Sequence, residues 1–92
     1  MNTEFVDNPR RHRFELRSGD TLLGFLVYRL GDDVITLVHT EVDPAHSGQG
    51  HAATLARAAL DEARERGLAV VPSCPYVASY IGKHPEYADL VA

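Results

Sequence analysis

Polar and apolar residues alternate from His12 to Leu16, placing Phe14 and Leu16 on one side of an extended segment and predicting a half-buried strand. Ser18-Gly19-Asp20 has turn chemistry, and Leu22 to Leu30 forms a second run rich in Leu, Phe, Val and Tyr. Gly31-Asp32-Asp33 marks another turn before Val34-Ile35-Thr36-Leu37-Val38-His39-Thr40-Glu41-Val42. Three such runs with short connections predict an antiparallel meander. The third is apolar on both faces as far as Val38, which predicts a central strand covered on each side.

Asp43-Pro44 ends that strand, because proline offers no amide to a ladder. After Ala45-His46-Ser47-Gly48-Gln49-Gly50 the period changes. Ala52, Leu55, Ala56, Ala59, Leu60 and Ala63 recur at helical spacing, with Arg57, Asp61, Arg64 and Glu65 mainly on the other side. The pattern predicts a long amphipathic helix rich in the best helix former, stopped by Gly67. Leu68 to Val71 suits a short buried strand, and Tyr76 to Lys83 a second, shorter helix closed by Gly82 or His84-Pro85. Glu86 to Ala92 reads as a loop or a terminal strand. The expected class is thus α/β (α+β).

Composition narrows the possibilities. Ninety-two residues suit one domain, 1–92, since a second core would not fit. Apolar residues at 45% and charged residues at 24% match an ordinary globular chain, so the body is expected to fold. The net charge of −4 argues against nucleic acid, which needs a basic face. The run Arg10, Arg11, His12 and Arg13 reads instead as a solvated strand edge. With one cysteine, Cys74, no intramolecular disulfide or cysteine metal cluster can form. Met1 to Pro9 lacks the long apolar stretch of a signal peptide, and no segment approaches the ~20 apolar residues of a membrane span. The expectation is a cytoplasmic protein, monomeric or weakly dimeric, that does not engage membranes.

Ser47-Gly48-Gln49-Gly50-His51-Ala52-Ala53, between a strand and a helix, is the most informative stretch. Small residues let a ligand approach the backbone, and the free amides at a helix start favour an anion. A Walker loop would need Lys and then Ser or Thr after the last glycine, where this chain has His51-Ala52. Gly48-x-Gly50-x-x-Ala53 matches a dinucleotide fingerprint, but Leu68 to Ser73 lacks the acidic residue that would hold the ribose. Its strand also belongs to a meander.

Val38 to Val42, then Ser47 to Ala52 and the alanine-rich helix, resemble GCN5-related N-acetyltransferases. Gly50 and Ala52 fit the last two positions of that family's loop pattern; Ser47 stands where Arg or Gln is usual. Four segments look like those of its short single-domain subgroup. They are His39-Thr40-Glu41-Val42; Gly67-Leu68 with Val70-Val71-Pro72; Cys74-Pro75-Tyr76-Val77; and Tyr80-Ile81 with His84-Pro85-Glu86-Tyr87. The resemblance runs from about Phe14 onward. It implies a minimal family fold in which the fourth strand runs parallel to the third and splays from it. Coenzyme A, as CoA or acetyl-CoA, would enter that gap. Its pantetheine arm would meet backbone from Thr40 to Val42, and its pyrophosphate would meet Ser47, Gly48, Gln49, Gly50, His51 and Ala52. The implied activity is acetyl transfer to an amine, on a small molecule or a protein, with no metal. The alternatives are a CoA-binding module with little or no activity, and an interaction domain without a ligand.

Such a reaction needs a neutral amine. A lysine-like amine is neutral about once in 2,500 at pH 7, a cost of roughly 4.6 kcal/mol, so a positioned base is useful. Glu41, near the end of the central strand and on the parity of His39, is the candidate base; a solvated strand-end carboxylate is the plainer alternative. Cys74, flanked by prolines, is a candidate acetyl relay or a packing residue, with no basic neighbour in sequence to favour its thiolate. Tyr80 resembles the tyrosine that protonates the departing thiolate in family members, and Tyr76 is its competitor. His39, His46 and His51 match no familiar zinc spacing.

Overall fold

The computed structural model describes residues 2–92. Five strands form one sheet in chain order: β1 (Glu4–Asn8), β2 (Arg13–Ser18), β3 (Thr21–Gly31), β4 (Val34–Val42) and β5 (Ala69–Pro72). The first four are antiparallel neighbours, while β5 pairs with β4 in parallel. Between β4 and β5 runs α1 (His51–Glu65), and α2 (Pro75–Lys83) follows β5. The turns obey local chemistry. Gly19 at φ +58° and Asp33 at φ +60° supply the left-handed conformations that close the β2–β3 and β3–β4 hairpins.

The meander, the long helix, the parallel strand and the short helix match the sequence expectation, with one strand added. Strand β1 enlarges the meander to four, and it corrects the expectation for the basic run. Arg10 and Arg11 lie in a 3-10 turn, Pro9–Arg11, that joins β1 to β2. Arg13 lies on a strand flanked on both sides. Proline at the first position of that turn, with Asn8 accepting from the Arg11 amide at 3.3 Å, explains why the chain turns there.

The strands bury one face. Phe14, Leu16, Leu26, Tyr28, Ile35, Leu37 and Val70 join Leu55, Ala56, Ala59, Leu60 and Ala63 of α1 and Val77 and Ile81 of α2 in a single core. Alanines at three of the five buried positions of α1 let the helix lie close to the sheet. A Schellman stop ends it: the Leu68 amide donates to the Ala63 carbonyl at 2.9 Å, with Gly67 at φ +69°. The expectation that β4 would be covered on each side is corrected here. Both helices share the core face, and on the other side Val34, Thr36 and Val38 are only half-buried.

Two ties fix the margins. The Tyr28 hydroxyl donates to Asp7 Oδ1 at 2.6 Å, and Arg66 Nη2 donates to Asp7 Oδ2 at 2.7 Å, so β1 is bound to β3 and to the end of α1. Burial, then the Asp7 carboxylate, push the Tyr28 hydroxyl up to about 12, so it stays a donor at neutral pH. At the other margin, a 3-10 turn over Pro85–Leu90 leads to a bridge between Val91 and Val70.

Candidate functional site

Strand β4 outruns its parallel neighbour. The β4–β5 register stops at Leu37↔Pro72, whereas β4 continues to Val42 with β3 alone beside it. Pro72 has no amide to extend the ladder, and the Cys74 amide makes the last link by donating to the Leu37 carbonyl at 2.8 Å. From there the chain turns into α2, leaving a wedge between Val38–Val42 and the start of that helix. Cys74 sits at its apex as the N-cap of α2, buried, with Sγ 3.4 Å from Thr40 Oγ1. Burial alone would raise the thiol. The Thr40 hydroxyl and the Val77 and Tyr76 amides outweigh it and bring Cys74 below the ordinary thiol range. The field that favours the thiolate thus comes from a helix start and a facing threonine.

Beyond β4 a 3-10 turn, Pro44–His46, precedes the glycine loop, and α1 begins at His51. Its N-cap, Gly50, offers no side chain to the helix, so the first-turn amides keep no capping acceptor. Gly48 and Gly50 adopt φ +78° and +79°, and a Cβ built at either would meet nothing within 4 Å. The cradle is open and lined by backbone. It fits a pyrophosphate, which would accept from these amides and sit at the positive end of α1. Ser47, Gly48, Gln49, Gly50, His51 and Ala52 all belong to this loop and helix start. His51 Nε2 lies 3.0 Å from Gln49 Oε1, and the Ser47 hydroxyl donates to the Pro44 carbonyl at 3.1 Å.

On the sheet face opposite the helices, His39 and Glu41 are adjacent, with Nε2 and Oε1 3.2 Å apart and both side chains more than half exposed. Register places Val27 beside His39 and Phe25 beside Glu41. One row further, Glu15 is 2% exposed although no helix covers it. Arg13 and Arg17 donate to it at 2.8 and 2.9 Å and Asn8 at 3.1 Å, while the Arg13 guanidinium lies 4.4 Å from the Phe25 ring centre. Burial alone would raise the Glu15 carboxyl; the Arg13, Arg17 and Asn8 hydrogen bonds outweigh it and hold it below the usual carboxylate range.

Tyr80 lies elsewhere. With Tyr76, Ser79, Lys83 and His84 it lines a groove of about 170 Å³ that reaches Ala53 on the first turns of α1. Its ring stacks on His84 at 3.9 Å, and burial raises its hydroxyl above the ordinary tyrosine value. The structure therefore gathers Thr40 and Cys74 at the wedge, and groups Tyr80 with Tyr76 beside the glycine-loop helix. Glu41 and His39 lie on the opposite sheet face. Asp43 and Leu22, which share a cavity with Glu41, escaped sequence reasoning. Asp43 was legible only as part of a strand stop, and Leu22 reaches the cavity because the start of β3 lies beside the end of β4, where the Asp43 amide donates to the Leu23 carbonyl at 2.9 Å. Among the described residues no group of three or more His, Cys, Asp or Glu could hold a metal ion, and no helix is long and apolar enough to cross a membrane.

Comparison with known proteins agrees with this geometry. A family model described as GCN5-related N-acetyl-transferase matches residues 13–90. Human protein NATD1 is 37% identical over 83 residues, covering 87% of this chain and 74% of its own. The zebrafish (Danio rerio) protein NATD1 is 31% identical over 88 residues, covering 91% and 80%. A GCN5-like protein from Staphylococcus aureus, solved in solution by NMR, superposes with a TM-score of 0.72 at 26% identity, over 97% of this chain and 87% of that one.

Proposed function

Because the chain belongs to the GCN5-related N-acetyltransferase family, we propose that it moves an acetyl group from acetyl-CoA to an amine. One observation carries this most directly: an uncapped helix start behind Gly48 and Gly50 lies next in the chain to a strand, β4, that is parted from its parallel neighbour. A long thioester needs both features, a cradle for its pyrophosphate and an open strand edge for its arm.

The thioester supplies the activated acetyl carbon when bound, and the protein's part is to hold it and to manage protons. Thr40 to Val42 offer the arm a strand edge, and the amides from Gly48 to Ala52 offer donors to the pyrophosphate. Glu41 accepts a proton from the incoming ammonium, with His39 orienting its Oε1. Overall one C–N bond forms and one C–S bond breaks. The ammonium loses two protons: one passes through Glu41 to solvent and the other ends on the CoA sulfur. Tyr80, whose phenol is protonated at neutral pH, is assigned the delivery of that second proton. Cys74 offers a two-step route. Its thiolate takes the acetyl group by thioester exchange, breaking one C–S bond as another forms, and then yields it to the amine.

Release of free thiol from acetyl-CoA across a panel of amines tests the proposal. We expect turnover that falls about 10²-fold or more in Glu41→Gln, the usual worth of a general base, with CoA affinity unchanged. Mass spectrometry of protein quenched during turnover should find Cys74 carrying one acetyl group. Full activity in Cys74→Ala would leave only direct transfer. The exposure of the His39–Glu41 pair, 58% and 59%, favours a second reading, a CoA-binding module with little turnover. Tight CoA binding with no thiol release from any amine would select it.

A further inference from the structure

The face of the sheet opposite the helices carries a cavity at the open end of β3 and β4. It holds about 300 Å³ and is lined by Leu22, Gly24, Phe25, Glu41, Asp43 and Pro44, with Leu23 behind them. That volume lies at the small end of the range for small-molecule sites, about 300–1,000 Å³, enough for one compact molecule or one side chain. Its lining divides in two. Leu22, Phe25 and Pro44 make an apolar wall, and Glu41 and Asp43 are its only charged groups.

The carboxylates are oriented. Glu41 Oε1 is engaged by His39 at 3.2 Å, and Asp43 Oδ1 accepts from the Ala45 amide at 2.9 Å. Each keeps a second oxygen with no protein partner among the described residues. The nearby arginines do not cancel this charge, because Arg13 and Arg17 are both drawn to Glu15. A negative edge on an apolar wall rejects anions and holds a cation whose body is apolar.

We propose that this cavity is the acceptor pocket and that it selects a primary ammonium bearing an apolar body and no carboxylate. The inference rests on the transfer reaction above, since Glu41 both lines the pocket and is the assigned base. Asp43 pairs with the ammonium as it arrives, Leu22 and Phe25 cover the apolar body, and Glu41 takes the proton. Specificity therefore comes from the β3–β4 hairpin and the first residues after it.

The test uses 2-phenylethylamine and L-glutamate as probes on the intact chain. With acetyl-CoA, 2-phenylethylamine should show the higher kcat/KM. Asp43→Asn keeps the hydrogen bond to Ala45 and removes the charge. It should raise the KM for 2-phenylethylamine roughly fivefold while kcat and CoA affinity hold. Independently of turnover, 2-phenylethylamine should shift the amide NMR signals of Leu22, Phe25 and Asp43, and Asp43→Asn should weaken those shifts. Shifts without turnover would remove the transfer reaction and leave the pocket standing. Turnover with those signals unmoved, with an unchanged KM in Asp43→Asn, or with glutamate preferred would overturn the pocket and leave the reaction.

Discussion

Adding one methyl group at each of two glycines should have opposite effects. At Gly24, in the middle of the β2–β3–β4 sheet, a Cβ would lie 2.7 Å from the Glu41 carbonyl oxygen and 3.3 Å from both Leu55 Cδ1 and the Val42 Cα. Two of those atoms are backbone of β4 and the third is fully buried in α1, so relief requires β4 or α1 to move. Overpacking of this kind costs about 1–3 kcal/mol. For a domain of this size each kcal/mol lowers Tm by about 4–8 °C, so Gly24→Ala should melt roughly 4–24 °C below the parent. At Gly82, inside α2, a Cβ meets nothing within 4 Å and the backbone is already helical. There alanine should add about 0.5–1 kcal/mol and raise Tm by a few degrees. Circular dichroism melts of both variants at one concentration decide the matter. Gly24→Ala melting within a degree of the parent would refute the close packing of β3 on β4 and α1, and Gly82→Ala falling alongside it would refute the open space beside α2. The displaced backbone at Gly24 belongs to Glu41, so the same variant should also lose acetyl transfer.

Two further outcomes follow from the charges and the thiol. Glu15 has a lowered folded-state pKa because Arg13, Arg17 and Asn8 outweigh its burial, so its contribution is present above the unfolded carboxylate value of about 4.3 and is lost as pH falls through the folded value. Glu15→Gln should lose about 1–3 kcal/mol at pH 7 and little at the acid end; an equal loss at both, in urea melts, would deny the ion pairs. Cys74 should titrate below the ordinary thiol range by thiolate absorbance, read against Cys74→Ala, and Thr40→Val should move that titration upward. A parent titration above the ordinary range would remove the case for a relay.

What could be read in the sequence was what neighbouring residues decide. The hairpins of β2 to β4 follow from turn residues, α1 from its alanine spacing, and the open glycine loop from Gly48 and Gly50 ahead of that helix. Parity alone placed His39 and Glu41 side by side. Strand β1 was hidden because Glu4 to Asn8 has only Phe5 and Val6 as an apolar signal; distant partners hold it, β2 by pairing and Tyr28 and Arg66 through Asp7. The burial of Glu15 depends on arginines two residues to either side folding over it, which alternation reads only as a polar position. Cys74 lacks a basic neighbour in sequence, and its thiolate field appears once α2 starts beneath it and β4 brings Thr40 across. The cavity at the open end of β3 and β4 arises from register, which sets Phe25 beside Glu41.

The central claim is that the loop before α1 holds the pyrophosphate of CoA. Calorimetric titration of CoA and acetyl-CoA into the parent protein and Gly50→Glu tests it most directly. The new side chain has open space but a left-handed φ of +79°, a strain of about 1–2 kcal/mol, so a melt of the variant accompanies the titration. We expect micromolar binding by the folded parent and its loss in a variant that still melts cooperatively. No binding by the parent, or equal binding by both, would contradict the claim.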